Sequence, residues 1–332
     1  MRRWPGVLFG LGAAVALVVA LLYLAPSDQY ILLPDQPRAL EPLVVVKGEK
    51  PDQDSGGIYY VAVDVRKANL LEKLIPDLRD GATLVPEHVL NPEGVNENAR
   101  RRVEFREMRQ SQKYAAAVAL KALGFRVRIE PVGAQVGQTL RGYPARAKLR
   151  PRDLIVAVNG APVKIPDDLT RLLGQHSPRE TVALRVHRNE RVRDVRIRTV
   201  PNPASPSLPF LGIQLQEPKI TLPVPVRFDL GQVGGPSAGL AFALDLFEEL
   251  GRDIDHGLRV AATGEIHLDG SVRAVGGVKQ KTIGARRSDV DLFLVPGENA
   301  AEARRYAEDL RIVPVDSFQQ ALHALATQPP SA

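Results

Sequence analysis

The sequence predicts an α+β protein: an N-terminal transmembrane helix, then a domain of mixed sheets and helices interrupted by a β-rich module. Three observations predict it. Residues 7–25, VLFGLGAAVALVVALLYLA, carry no charge and are almost wholly apolar. Residues 125–200 read as short β runs studded with arginine, and from residue 211 onward strand-like runs alternate with a glycine loop and helix-forming runs.

The apolar run is close to the roughly 20 residues that span a bilayer. Arg2 and Arg3 precede it and Asp28 follows, so the positive-inside rule places the tip, 1–6, in the cytoplasm and the remainder outside. The expectation is a single-pass anchor over 7–25 in the cell membrane. A cleaved signal peptide is the rival reading, but a cut after Ala25 puts bulky Tyr23 where a small residue is wanted.

Residues 26–53, rich in proline and charge, read as a stalk with one strand-like run, LVVVKGE. Residues 54–124 begin the main domain with the β-rich run Gly57–Val65 and a helix over Val103–Leu123 that Gly124 stops. The module at 125–200 holds a strand ending in the reversal Asn159-Gly160. A short helix over Pro166–Leu173 with acidic residues in its first turn follows, then two strands around His187–Glu190. The prolines of PNPASPSLPF, 201–210, mark a linker. The core then runs over 211–327: strands within Leu211–Leu230, an apolar helix from Ser237 to Leu250 ended by Gly251, and strands at Phe293 and Ile312 around the helix Ala300–Leu310. Residues 328–332 form a tail.

There is no cysteine, which excludes disulfides, thiolate metal sites and a cysteine nucleophile. The formal charge is +6 over 332 residues. Arg126–Arg198 holds 16 Lys/Arg against 7 Asp/Glu, +9, so the rest sums to −3. A basic module suits nucleic acid, anionic lipid or acidic protein. Aromatics are nearly absent from it and an exported domain rarely meets nucleic acid, so a solvated basic face and no nucleic-acid partner are expected.

The densest chemistry lies in GQVGGPSAGL, 231–240, where Gly235-Pro-Ser-Ala-Gly239 fits G-x-S-x-G. Ser237 is either an N-cap of the following helix or a nucleophile whose oxyanion the helix N-terminus would stabilise. A nucleophile needs a base. His256, His267 and His323 follow it in the order of a hydrolase triad, but each sits in a charged turn, a strand or a terminal helix rather than a built setting. A desolvated lysine is the other base, and VGGVKQKTIGA, 275–285, offers Lys279 and Lys281. These lie about 200° apart around a helix, so only one can face inward. The same segment is not a phosphate loop, because Gln280 stands where glycine is required before Lys281. No metal or cofactor is expected.

Taken together, GGPSAG followed by ATGEIHLDGSVRAVGGVKQKTIGA resembles the proteolytic domain of the Lon family of Ser-Lys proteases. The resemblance implies that Ser237 is the nucleophile, Lys281 the general base and Thr263 the residue that helps position the lysine, with Gly234 and Gly235 in the oxyanion cradle. LVPGENAAEA around Asn299 resembles the family's later strand-to-helix turn. The resemblance is strong over Leu211–Leu325 and weak over Gly57–Leu123.

LRPRDLIVAVNGAPV in the basic module resembles a PDZ domain, with Arg152 where glycine is usual and Arg146 and Lys148 in place of small residues. That resemblance implies an edge that binds extended peptides, placed at Ala134, Gln135, Val136 and Gly137. The arrangement as a whole is similar to membrane-anchored bacterial proteins with a PDZ and a Lon-type domain. It implies a serine endopeptidase with a Ser237–Lys281 dyad, independent of ATP, acting on unfolded or flexible exported or membrane proteins that the PDZ domain recruits. Its partners would be protein or peptide substrates, the membrane, and further copies in a ring by family analogy. The alternatives are a catalytically idle scaffold that binds peptide termini, and a Ser-His-Asp α/β hydrolase.

Overall fold

The computed structural model describes residues 4–40, 44–46, 56–90, 97–203, 205–228, 233–250 and 253–327. The tail 328–332 and Gly251, read as a helix stop, lie outside them. Two compact units are present: Met1–Ala115 with Val226–Ile266 and Val272–Ala332, and Ala116–Pro225 with His267–Ser271.

The first unit is organised by a five-stranded sheet in the order Arg38–Ala39, Gly57–Tyr60, Arg259–Ala262, Leu292–Pro296, Arg311–Val315. The last four strands are parallel, with Ile58 opposite Val260, Val260 opposite Leu292 and Leu292 opposite Arg311. Parallel strands buried on both faces are near-continuous apolar runs, and Val260–Ala262 and Leu292–Val295 are buried without a break. The helices Gly239–Glu249, Val278–Arg286, Ala300–Tyr306 and Phe318–Ala326 supply further buried residues of the unit.

A second, antiparallel sheet orders its strands Val63–Asn69, Pro26–Pro34, Thr83–Pro86. Residues 26–34, expected in a stalk, are therefore part of the fold, with Tyr30 and Ile31 buried.

The transmembrane helix expected over 7–25 is not upheld. A helix does span Trp4–Leu24, but among the described residues no helix is long and apolar enough to cross a membrane. The chain then turns directly into the domain, where the Leu70 N–H donates to the Ala25 carbonyl at 2.9 Å. The single-pass membrane placement, with the catalytic domain on the far side, falls with the helix.

The second unit is built on an antiparallel sheet ordered Arg191–Arg198, Thr181–Arg188, Leu154–Val158, Ala134–Thr139, Ile213–Leu215, with Ala161–Pro162 beside Leu154–Val158. Ile155, Leu169, Leu184 and Ile197 fill its core, and the helix Pro166–Gly174 contributes Leu169 and Leu172. The Asn159-Gly160 reversal takes the positive φ values, 47° and 86°, that a two-residue hairpin turn requires. Two boundaries differ from the sequence reading. The segment 201–210 is not free of regular structure, since Val200 pairs with Phe210 and Pro201 with Pro209, and the unit continues to Pro225.

Arg152, where glycine was noted as usual, adopts φ 72°. Its N–H donates to Val136 at 2.7 Å, and next to it Asp153 is buried against Arg188 at 2.6 Å. The turn thus forms with a left-handed arginine, a conformation that costs an L-residue about 1–2 kcal/mol. Arg152→Gly is expected to raise stability by about 0.5–1 kcal/mol in urea unfolding, after glycine's own entropic loss; an unchanged midpoint contradicts this account of the turn.

Candidate active site

The helix after the glycine loop starts at Gly239, with Ala238 as its N-cap and no side-chain cap. Ser237 is therefore not the capping residue. It lies half-buried one position before the cap, and its Oγ accepts a hydrogen bond from Lys281 Nζ at 2.7 Å, across 44 residues of sequence.

Lys281 projects from the helix Val278–Arg286, whose N-cap Gly277 takes the left-handed conformation, φ 70°. That helix approaches backbone closely: a Cβ on Gly284 would overlap the Asp35 carbonyl. Lys281 is 3% exposed, and burial alone lowers its pKa from 10.5 to about 7. A second hydrogen bond runs from Nζ to Thr263 Oγ1 at 2.8 Å. Thr263, fully buried, donates its own hydroxyl to the Ser237 carbonyl at 3.0 Å. It follows the central strand Arg259–Ala262, and its N–H donates to Leu294 of the neighbouring strand at 3.0 Å. The parallel sheet thus holds the threonine that holds the lysine.

Lys279 turns the other way, donating to the Ala82 carbonyl at 3.0 Å. Between the two lysines, buried Gln280 donates to Gly81 at 3.0 Å and to Thr83 Oγ1 at 2.8 Å. Asn299 braces the loop ahead of the lysine helix, accepting from the Val275 N–H at 2.8 Å and donating to the Val275 carbonyl at 3.2 Å.

Ser237 and Lys281 line a cleft of about 740 Å³ with Leu32, Arg38, Val63 and Met108. Gly234 lines it too, but Gly235 has a different task from the one expected: its N–H donates to the Glu104 carbonyl at 3.1 Å and is not available to an oxyanion. None of the three histidines meets Ser237. His256 contacts Asp253 at 3.6 Å, His267 Nδ1 lies 2.8 Å from Asp167, and His323 is exposed on its helix. Among the described residues no cluster of three or more His, Asp or Glu is placed to hold a metal ion.

Residues 228–328 match the Lon protease (S16) C-terminal proteolytic domain. Residues 121–199 match a PDZ domain. The Lon-type segment is 35% identical over 100 residues to Lon protease 2 of Bacillus subtilis, covering 30% of this chain and 18% of that protein. It is 36% identical over 91 residues to the Lon protease of Mesomycoplasma hyopneumoniae, 26% of this chain and 10% of that one. Against the Lon protease of Xanthomonas oryzae it is 37% identical over 99 residues, 29% and 12% of the two chains. The matched segment thus spans less than a fifth of the length of these relatives. A solved PDZ domain, of an SdrC-like protein from Listeria monocytogenes, is 19% identical over 26% of this chain and 92% of its own, with a TM-score of 0.24. The Lon-type match and its relatives support a serine-type endopeptidase, and both matches are consistent with protein or peptide substrates.

The PDZ-type unit corrects one expectation. Ala134–Gly137, read as the peptide edge, lies within a strand that is paired on both sides: Ala134 with Ile155, and Val136 with Leu215. It has no edge to offer. The sheet instead ends at Ile213–Leu215, outside the matched residues 121–199.

Ser111, on the helix Glu97–Ala122, is the site residue the sequence reading missed. Its Oγ donates to the Pro236 carbonyl at 3.0 Å, directly before the serine. The signal was present: Ser111 is a short polar residue four positions ahead of the alanine-rich inner face Ala115–Leu120.

Proposed function

We propose that the chain is a serine endopeptidase in which Ser237 attacks a peptide carbonyl and Lys281 takes its proton. The observation that carries this is the 2.7 Å contact between Ser237 Oγ and a buried lysine whose pKa is lowered to about 7. A lysine in this state is substantially neutral at physiological pH, so its lone pair can accept the serine proton. As the Oγ–carbonyl bond forms, the negative charge moves to the substrate oxygen. The N–H groups of Ser237 and Ala238, at the positive end of the helix Gly239–Glu249, are the donors suited to it. Lys281 then returns the proton to the leaving amine, and water attacks the acyl-serine by the same route in reverse. Thr263 orients Nζ while fixing the Ser237 carbonyl.

The substrates proposed are unfolded or flexible polypeptides that enter the cleft in extended form. The PDZ-type unit would recruit them by taking a peptide strand along Ile213–Leu215, whose half-buried Ile213 and Leu215 pack on the unit's core.

A peptidyl phosphonate tests the reading. The wild type is expected to be labelled at Ser237 and to cleave a reduced, alkylated protein, whereas Ser237→Ala does neither. A wild type that neither labels nor cleaves defeats the proposal.

A further inference from the structure

Two carbonyls flank the reactive serine along the backbone, and both are anchored. The Pro236 carbonyl accepts from Ser111 Oγ at 3.0 Å and from the Gly239 N–H at 3.2 Å. The Ser237 carbonyl accepts from Thr263 Oγ1 at 3.0 Å and from the Gly264 N–H at 2.8 Å. The loop is seated closely between these supports: a Cβ on Gly239 would come within 2.6 Å of Ser111 Oγ and 2.8 Å of Ile266 Cγ2.

A trans peptide is planar, so its N–H points away from its C=O. The carbonyl of Pro236 belongs to the same peptide as the N–H of Ser237, and the carbonyl of Ser237 to the same peptide as the N–H of Ala238. Holding each carbonyl on the far side therefore turns each N–H the opposite way. Ser237 and Ala238 both line the cleft. Thr263 and Gly264 set the second donor, and Ser111, 3% exposed, sets the first.

We infer that Ser111 is a positioning residue for the oxyanion hole, acting through the Pro236–Ser237 peptide to aim the Ser237 N–H at the developing charge. Ser111 does not line the cleft and bonds the Pro236 carbonyl rather than Lys281. It lies outside residues 228–328, so the matched domain borrows this support from the helix Glu97–Ala122. The inference rests on the peptidase reading above.

A Ser111→Ala variant leaves the Pro236 carbonyl with the Gly239 N–H alone and lets the peptide plane rock. Losing one oxyanion donor outright lowers kcat by ~10²–10³-fold, so its misalignment is expected to lower kcat by roughly 10–100-fold. KM should stay within about twofold, because the donor acts in the transition state rather than in ground-state binding. A peptide boronate, whose tetrahedral adduct places an oxygen in the hole, should lose affinity by the same factor as kcat. The pH midpoint set by Lys281 should not move, and Ser111→Thr, which keeps the hydroxyl, should recover most of the loss.

The inference is overturned if Ser111→Ala keeps kcat within twofold, if KM rises instead, or if boronate affinity is unchanged while kcat falls. Should the alanine variant not fold, Ser111→Cys keeps the volume and weakens the donor. It must then show the same split at smaller size, and wild-type kinetics in it overturn the inference. Failure of the peptidase reading looks different: there the wild type itself forms no Ser237 adduct.

Discussion

Replacing Lys281 with methionine is expected to lower kcat/KM by ~10⁴-fold or more, since it removes the proton acceptor while keeping the packing. The same variant is expected to be more stable than the wild type. The lysine's pKa is near 10.5 when unfolded and about 7 when folded. Between those values the unfolded chain binds the additional proton, so stability rises with pH across that window and is lowest below pH 7, where the buried amine must be charged. At pH 7 the penalty is on the order of 4 kcal/mol, and methionine abolishes it. In the wild type, kcat/KM should rise about tenfold per pH unit below pH 7 and level off above pH 8 as Lys281 loses its proton. Thermal unfolding of Lys281→Met beside wild type checks the stability half; a variant that is inactive and also less stable contradicts the account of a desolvated, buried base.

Glu248 is expected to make the fold alkali-sensitive. Its pKa is pushed up to about 9, first by burial and then by the charges of Asp255 and Asp245, and its Oε2 is buried without a hydrogen-bond partner. Asp255 is also raised, again chiefly by burial, but its bond to Glu248 works the other way and lowers it. The two effects agree if Glu248 carries the shared proton and Asp255 accepts it. A carboxyl with a raised folded pKa stabilises fully below its unfolded value of about 4.5, and that stability is lost as pH rises toward 9. Unfolding free energy should therefore fall between pH 5 and 9. Glu248→Gln, which keeps the donor and cannot ionise, should flatten the curve and exceed wild type by about 5 kcal/mol at pH 8.5. Parallel pH curves for the two proteins rule this out.

The residues that meet at Ser237 were legible in the sequence because they are local in motif: a serine in GGPSAG, a threonine before Gly-Glu, and lysines after GG. Helical geometry allowed only one inward lysine, and the structure selects Lys281 while Lys279 turns to Ala82. What the motifs could not show is which backbone groups were already engaged. Gly235 resembled a cradle residue until its N–H was found on Glu104. Ser111 stood 125 positions before its carbonyl partner, a separation that no motif spans.

The peptide edge failed for a related reason. Ala134–Thr139 has the texture of an edge strand, but the strand that covers it arrives 74 residues after Thr139, beyond a proline-rich stretch read as a linker. The N-terminal apolar run was read from its composition, length and flanking charges, and none of these reports how the helix joins the domain. Ala25 is bonded to Leu70, and the residues after it enter a sheet at once.

The hydrogen bond from the Thr263 N–H to Leu294 has one more consequence. Serine, threonine and lysine come from three separate stretches, and the threonine follows a strand, Arg259–Ala262, that is held in place by pairing with Leu292–Pro296. Parallel pairing of this kind joins distant segments and forms slowly. A chain emerging from synthesis therefore carries its nucleophile and its base unassembled. On the proposed mechanism, newly made copies cannot cut one another while they are still loose enough to be cut, and the centre is completed only in a molecule that has itself stopped being a substrate.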